Sequence, residues 1–239
     1  MTGPLAALSD ARQIGESQKA YAARMAKRKT VDQAAHEAAP SPENERPEPT
    51  QGQAQAGNYK KGAVRISGLQ VSIENPAGSV REDKNNTPPQ WSQKMVGAHY
   101  GYVKGVPARS PDKDHVDVFV KEGTPDDYAG PVFVVDQNTG SGKFDESKTV
   151  IGVATAEEAR ALYLANYGKG QEKRIRGITP MAMDSFKAKL QDPQAFMRPQ
   201  PAPEKGTVVP KFATPEPAPA GPQKDAAPQV AAKPAAEPV

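Results

Sequence analysis

Three carboxylates fall within six residues in the stretch Asp112-Lys113-Asp114-His115-Val116-Asp117-Val118-Phe119-Val120. The alternation after His115 is that of a strand. Val116, Val118 and Val120 share one face, and His115, Asp117 and Phe119 share the other. Asp117 is then set on the strand itself, with Asp112 and Asp114 on the turn that feeds it. At ~4 Å and an effective dielectric near 20, each like pair costs on the order of 4 kcal/mol. Lys113 alone does not neutralise the three, whereas a hard divalent cation does. Oxygen-only ligands of this kind suit magnesium, manganese or calcium. The plain alternative is a solvated acidic turn, common before strands. A calcium loop of the EF-hand type is excluded, because the sixth position is Asp117 rather than glycine and the twelfth is Gly123 rather than glutamate.

Further residues that could do chemistry lie at strand ends or beside loops: Glu74, Tyr100, Asp136, Asp145 and Lys148, with cations at Arg81, Lys94, Lys104 and Lys169. Many acids with several Lys and Arg suit a small polyanion bound through metal ions, the carboxylates holding metal and the cations holding phosphate oxygens. Gly140-Ser141-Gly142-Lys143 is not a phosphate loop. Gln137 stands where that motif needs its first glycine, and Phe144 replaces its Ser/Thr.

The elements that must position these residues are short. Ala63–Ile66 and Leu69–Ile73 read as a hairpin around Ser67-Gly68, with Glu74 at a strand end before the breaker Asn75-Pro76-Ala77-Gly78. Trp91–Met95 reads as a strand with Trp91 in the core. Ala98–Val103 is an aromatic strand whose Gly101 marks a bend or a close backbone approach. Val132–Asp136 and Thr149–Val153 are further strands. Thr155 with Glu158 forms a capping box for a helix carrying Ala159, Leu162, Tyr163 and Tyr167, ended at Gly168-Lys169-Gly170. Thr179-Pro180 opens a second helix through about Leu190. Strands followed by helices give an α+β fold, expected as a small closed OB-like β-barrel with two C-terminal helices.

This ordered part spans 58–192. Residues 1–57 read as a helix from Ser9-Asp10 to about Lys29, with Ile14, Tyr21 and Met25 as a thin apolar stripe, and then an Ala/Pro/Glu/Gln linker. Residues 193–239 hold about half of the 25 prolines and read as a disordered Pro/Ala-rich tail. Of the 239 residues 36% are hydrophobic, and the mean hydropathy is -0.70, which fits loose flanks around one domain. Without cysteine there is no disulfide framework and no thiolate zinc site, in keeping with a reducing compartment. A net charge of +3 argues against nucleic acid as the partner, and no apolar run is long enough for a membrane span.

Val71-Ser72-Ile73-Glu74-Asn75-Pro76, then His99-Tyr100-Gly101-Tyr102, then Asp112-x-Asp-x-x-Asp117-Val118 resemble the ordered signature of the soluble, barrel-type, magnesium-dependent inorganic pyrophosphatases. The narrower likeness is to the pyrophosphatase-like domain of phage and mobile-element proteins, in which His follows the second Asp. The resemblance implies hydrolysis of pyrophosphate to two phosphates in the cytoplasm of a bacterial or phage-infected cell, with Mg²⁺, or Mn²⁺ in its place. By the same resemblance Asp112, Asp117 and Asp145 ligate a first metal and Asp117 bridges to a second. Asp136 or Asp145 holds metals brought in with substrate, and Glu74 lies in the outer shell. Asp114 is the general base and Tyr100 hydrogen-bonds near the nucleophile, a water whose pKa two metals lower toward about 7. Arg81 stands where the family has a phosphate-binding Lys, Lys148 matches a site Lys, and Lys94 substitutes for a missing Arg. Tyr167 and Lys169 loosely answer a late Tyr-Lys pair. Lys113 and His115 replace the Gly and Pro of the family's acidic core. The alternative is a pyrophosphatase-like module without strong turnover, serving as an accessory binding protein that docks protein partners through its tails.

Overall fold

The computed structural model describes residues 29–201. The helix expected from residue 9 therefore lies outside the described residues, as does the tail beyond 201. Nine strands are present: β1 Gly62–Ile66, β2 Leu69–Asn75, β3 Val80–Glu82, β4 Ser92–Lys94, β5 Ala98–Lys104, β6 Asp117–Lys121, β7 Val132–Asn138, β8 Phe144–Ile151 and β9 Ile175–Met181. Four helices join them, α1 Val31–Ala35, α2 Gln51–Gln55, α3 Ala156–Ala165 and α4 Met183–Lys189, with a 3-10 turn at Gln171–Arg174. Seven strands form one sheet in the order β1-β2-β5-β6-β8-β7-β9, and β3 pairs with β4 in a separate ribbon. Every pairing is antiparallel except β6–β8. The α+β class holds. No ladder joins β1 to β9, so the closure expected of a barrel is not seen.

The period-2 alternation sorts side chains onto two faces. One face carries Val116, Val118, Val120, Val132, Val134 and Ile151, which pack with α4 and α1. The other carries Tyr100, Phe119, Phe133, Val135 and Val150, which pack under α3 through Ala159 and Tyr163. Gly101 is where two strands approach closely, since a Cβ there would lie 1.9 Å from the Ser72 carbonyl oxygen. Thr155 caps α3 by accepting from the Glu158 amide at 3.1 Å, while Glu158 Oε2 accepts from Ala154 N at 2.8 Å.

Three expectations about the elements change. Thr179-Pro180 lies in β9, not at a helix start; Pro180 is tolerated because β9 is an edge strand, and α4 begins at Met183. The stretch 31–57 is not wholly a linker. Thr30 and Gln33 close a capping box on α1, and Val31 and Ala35 join the core. A Cβ on Gly62 would meet the Ala35 carbonyl at 2.6 Å, so α1 lies directly on β1. Buried Phe196 packs edge-on against Phe186, and Gln200 N donates to Asp136 at 2.6 Å, so ordered contacts run past 192. Among the described residues no helix is long and apolar enough to cross a membrane.

Candidate active site

The parallel β6–β8 ladder sets Asp117 in register with Lys148, and the β5–β6 ladder sets Tyr102 opposite Asp117 and Tyr100 opposite Phe119. Glu146 lies two residues before Lys148 on β8 and so shares its face. Lys148 Nζ donates to Asp117 Oδ2 at 2.5 Å and to Glu146 Oε1 at 2.8 Å. The Tyr100 hydroxyl donates to the same Asp117 oxygen at 2.5 Å and accepts from Arg81 NH2 at 3.1 Å. Arg81 sits 4.0 Å from the Tyr100 ring centroid, 5.4 Å from Trp91 and 5.6 Å from Tyr167. This is a cage in which a guanidinium is attracted to three aromatic faces. It also explains why Trp91, expected in the core, is 48% exposed: its ring covers a cation rather than the sheet.

Burial alone would discharge Lys148, whose side chain is only 4% exposed. The surrounding oxygens of Tyr100, Asp117, Tyr167 and Glu146 outweigh it and hold the ammonium well above the ordinary lysine range. Burial raises the Glu146 carboxyl; Lys148 pulls it back only in part, and Asp117 adds to the rise. Burial and the Asp117 carboxylate also push the Tyr100 hydroxyl well up, against Lys148 and Arg81, so it remains a proton donor.

Beside this network opens a cavity of about 420 Å³, and Arg81, Lys148 and Arg174 reach it from three separate elements. Glu146, Asp145 and Tyr167 share its wall. Arg174 is fixed by donating to Asn138 O and to Asp145 Oδ2, both at 2.8 Å. Gln137 bridges the two acids, donating to Asp145 Oδ2 and Glu146 Oε1 at 3.0 Å each, and accepts from the Tyr163 hydroxyl at 2.6 Å. A cavity with three cations and a carboxyl of raised pKa can hold an oxyanion and accept a proton beside it.

Of the residues singled out from sequence, Tyr100, Asp117, Asp145, Lys148, Arg81 and Tyr167 come together here. The others do not. Asp112 and Asp114 are exposed on the turn, where Asp112 Oδ1 accepts from Ser110 Oγ at 2.6 Å and from the Asp114 amide at 3.1 Å. Lys113 between them has a φ of 71°, a left-handed backbone that favours glycine. Asp136 is in register with Ser147, which puts both on the opposite face of the sheet. There it accepts from Ser147 Oγ at 2.6 Å, and burial raises its pKa. Glu74 stands between Lys61 and Lys84, at 3.6 and 3.8 Å. Lys94 pairs with Val80, so the β3–β4 register gives Arg81 the neighbour Gln93 instead. Lys169 is exposed and does not line the cavity. Two residues were missed. Glu146 was legible as Glu-x-Lys on one strand face. Arg174 had no local signal, because only the fold brings the 3-10 turn beside β7 and β8.

Asp117, Glu146 and Asp145 offer the oxygen donors a hard divalent cation prefers. Their arrangement does not fit a resident one: the two carboxylates that converge already share the Lys148 ammonium. Among the described residues no group of three or more His, Cys, Asp or Glu side chains is placed to hold a metal ion.

The sequence model of the family described as Inorganic Pyrophosphatase matches residues 51–191. No curated protein and no solved structure matches the chain. The matched span runs from α2 to just past α4 and contains every residue of the cavity wall.

Proposed function

This chain belongs to the inorganic pyrophosphatase family, and from that premise we propose that it hydrolyses pyrophosphate to two phosphates in the cavity beside β6 and β8. One observation carries the reading: Arg81, Lys148 and Arg174 converge on a single cavity that also has Glu146 in its wall. The family is generally dependent on divalent metal, and the substrate is magnesium pyrophosphate, the ion arriving with it. Arg81 and Arg174 grip phosphate oxygens through planar forks that match oxyanion geometry. Lys148 holds Asp117 and Glu146 together and offsets one of their two charges, which lowers the repulsion an approaching anion meets. Tyr100 fixes the Asp117 carboxylate by donating to it. Glu146 accepts the proton of the attacking water, a task suited to a carboxyl whose proton affinity burial raises. It takes the role that the resemblance gave to Asp114, because Glu146 lines the cavity and Asp114 is exposed.

A second reading, a binding module of this family with little turnover, is favoured by Lys148 already occupying the two carboxylates that converge. Steady-state phosphate release separates the two. In the enzymatic reading Arg174→Ala raises KM with a modest change in kcat, while Glu146→Gln lowers kcat by about 10²-fold or more. A wild-type chain that binds pyrophosphate without releasing phosphate supports the module.

A further inference from the structure

A second groove, of about 520 Å³, lies over β1, β2 and the end of β5. Lys60, Lys61, Arg65 and Lys104 line it together with Tyr59 and Tyr102, and no aspartate or glutamate does. Lys61 is engaged, donating to Gly57 O at 2.7 Å and facing Glu74 at 3.6 Å. Arg65 and Lys104 are exposed, and among the described residues neither has an ion pair. Both are in register with Gln70, so they flank it on one row of the sheet. Neither cation is matched to an acid, so neither adds a cross-strand ion pair to the sheet.

The register ties this groove to the cavity. Ala63, Ser72, Tyr102, Asp117 and Lys148 form one cross-strand row, hence one face. At ~4.8 Å per strand, β5 lies roughly 10 Å and β1 roughly 19 Å from β8, a span for a chain of linked phosphates rather than for pyrophosphate alone. The aromatic rings do not offer a stacking platform for bases. Tyr102 is covered by His115 at 4.5 Å and Lys61 at 5.7 Å, and Tyr59 by Lys61 at 4.8 Å and Lys84 at 5.5 Å. Binding of single-stranded nucleic acid relies on free faces of this kind.

We propose that the groove holds the distal phosphates of a linear polyphosphate whose terminal anhydride lies in the cavity, so the substrate class extends beyond pyrophosphate. This rests on the hydrolytic reading given above. Water adds to the terminal phosphorus and the bond from that phosphorus to the bridging oxygen breaks. The bridging oxygen keeps the electron pair on the shortened chain, one orthophosphate leaves, and the proton of water passes to Glu146 and on to solvent.

The test uses the full-length chain and the double variant Arg65→Glu/Lys104→Glu, both at surface positions outside the cavity. Pyrophosphate and long-chain polyphosphate are compared as substrates, and polyphosphate binding is measured separately by calorimetry without divalent cation. The expected result is a rise of roughly tenfold in KM and Kd for long chains in the variant, with kcat/KM for pyrophosphate unchanged. Wild type that cleaves pyrophosphate yet does not bind long chains, or long-chain binding indifferent to both substitutions, overturns the inference. Tighter binding of a single-stranded oligonucleotide at the same residues overturns the ligand assignment. Variant-sensitive polyphosphate binding without any pyrophosphate turnover retains the groove and refutes the hydrolytic reading instead.

Discussion

Replacing Lys148 by methionine keeps the length and apolar stem of the side chain and removes the ammonium on which the site converges. Nζ stands 2.5 Å from Asp117 Oδ2 and 2.8 Å from Glu146 Oε1, so its loss leaves two carboxylates within about 5 Å of each other; at an effective dielectric near 20 that pair costs about 3 kcal/mol. Breaking one side of a buried ion pair costs about 3–5 kcal/mol in all. Lys148→Met is therefore expected to lose that much stability at neutral pH, read from the urea midpoint at constant m. The pH dependence has a definite sign. Wild-type Lys148 has its pKa raised by folding, so its contribution is fully present below the ordinary lysine pKa of about 10.4 and is lost only as pH rises through the folded value. In the variant two like charges face each other, so the penalty shrinks as pH falls and the pair takes up a proton. Adding Glu146→Gln to Lys148→Met should recover most of the loss. A loss under about 1 kcal/mol at neutral pH, flat with pH and indifferent to Glu146→Gln, would mean that Lys148 does not hold the two carboxylates together.

Lys113→Gly relieves a left-handed φ of 71° and is expected to raise stability by about 1 kcal/mol, read by thermal unfolding, since a non-glycine residue in that conformation costs roughly 1–2 kcal/mol. For Asp32, burial works against the carboxylate, but the His99 hydrogen bond, the Gly123 amide and the charges of His99 and His36 outweigh it and lower its pKa. Its contribution is present above the ordinary aspartate pKa and is lost as pH falls through the lower folded value. Because the Asp32 side chain is 38% exposed and screened by solvent, Asp32→Ala should cost no more than about 1 kcal/mol at neutral pH and little in strong acid, followed by denaturation across pH. Ending the chain at 192 removes Phe196 from its contact with Phe186; a loss of at least about 3 kcal/mol is expected, and an unchanged urea midpoint would place the functional boundary where composition alone put it.

How much of this was legible beforehand depended on the range over which each signal acts. The strands around Val71, Val118 and Val134 announce themselves by alternation, and Gly101 by its place inside an aromatic run. The capping box of α3 is equally local. β9 was hidden because Thr179-Pro180 is also a good helix start, and only its pairing with β7 decides between the two. α1 was hidden because five residues carry too little period, whereas its burial depends on Gly62 leaving room beneath Ala35. In the site, Asp117 and Lys148, in register across β6 and β8, and Tyr100 on β5 were singled out from sequence, since strand-end polar residues are visible one strand at a time. Asp136 was misplaced by one face, because a carboxylate at the end of an apolar run does not reveal which way the pleat turns it. Arg174 depends on a turn reached from a different part of the chain, and no spacing in the sequence reports that.

If Arg81, Lys148, Arg174 and Glu146 make one cavity that cleaves an anhydride, the purified full-length chain releases phosphate from magnesium pyrophosphate at a steady rate. Its Glu146→Gln variant, at equal folded concentration, loses about 10²-fold or more of that rate. Equal rates for the two, or no phosphate above the uncatalysed background from either, would contradict that assignment.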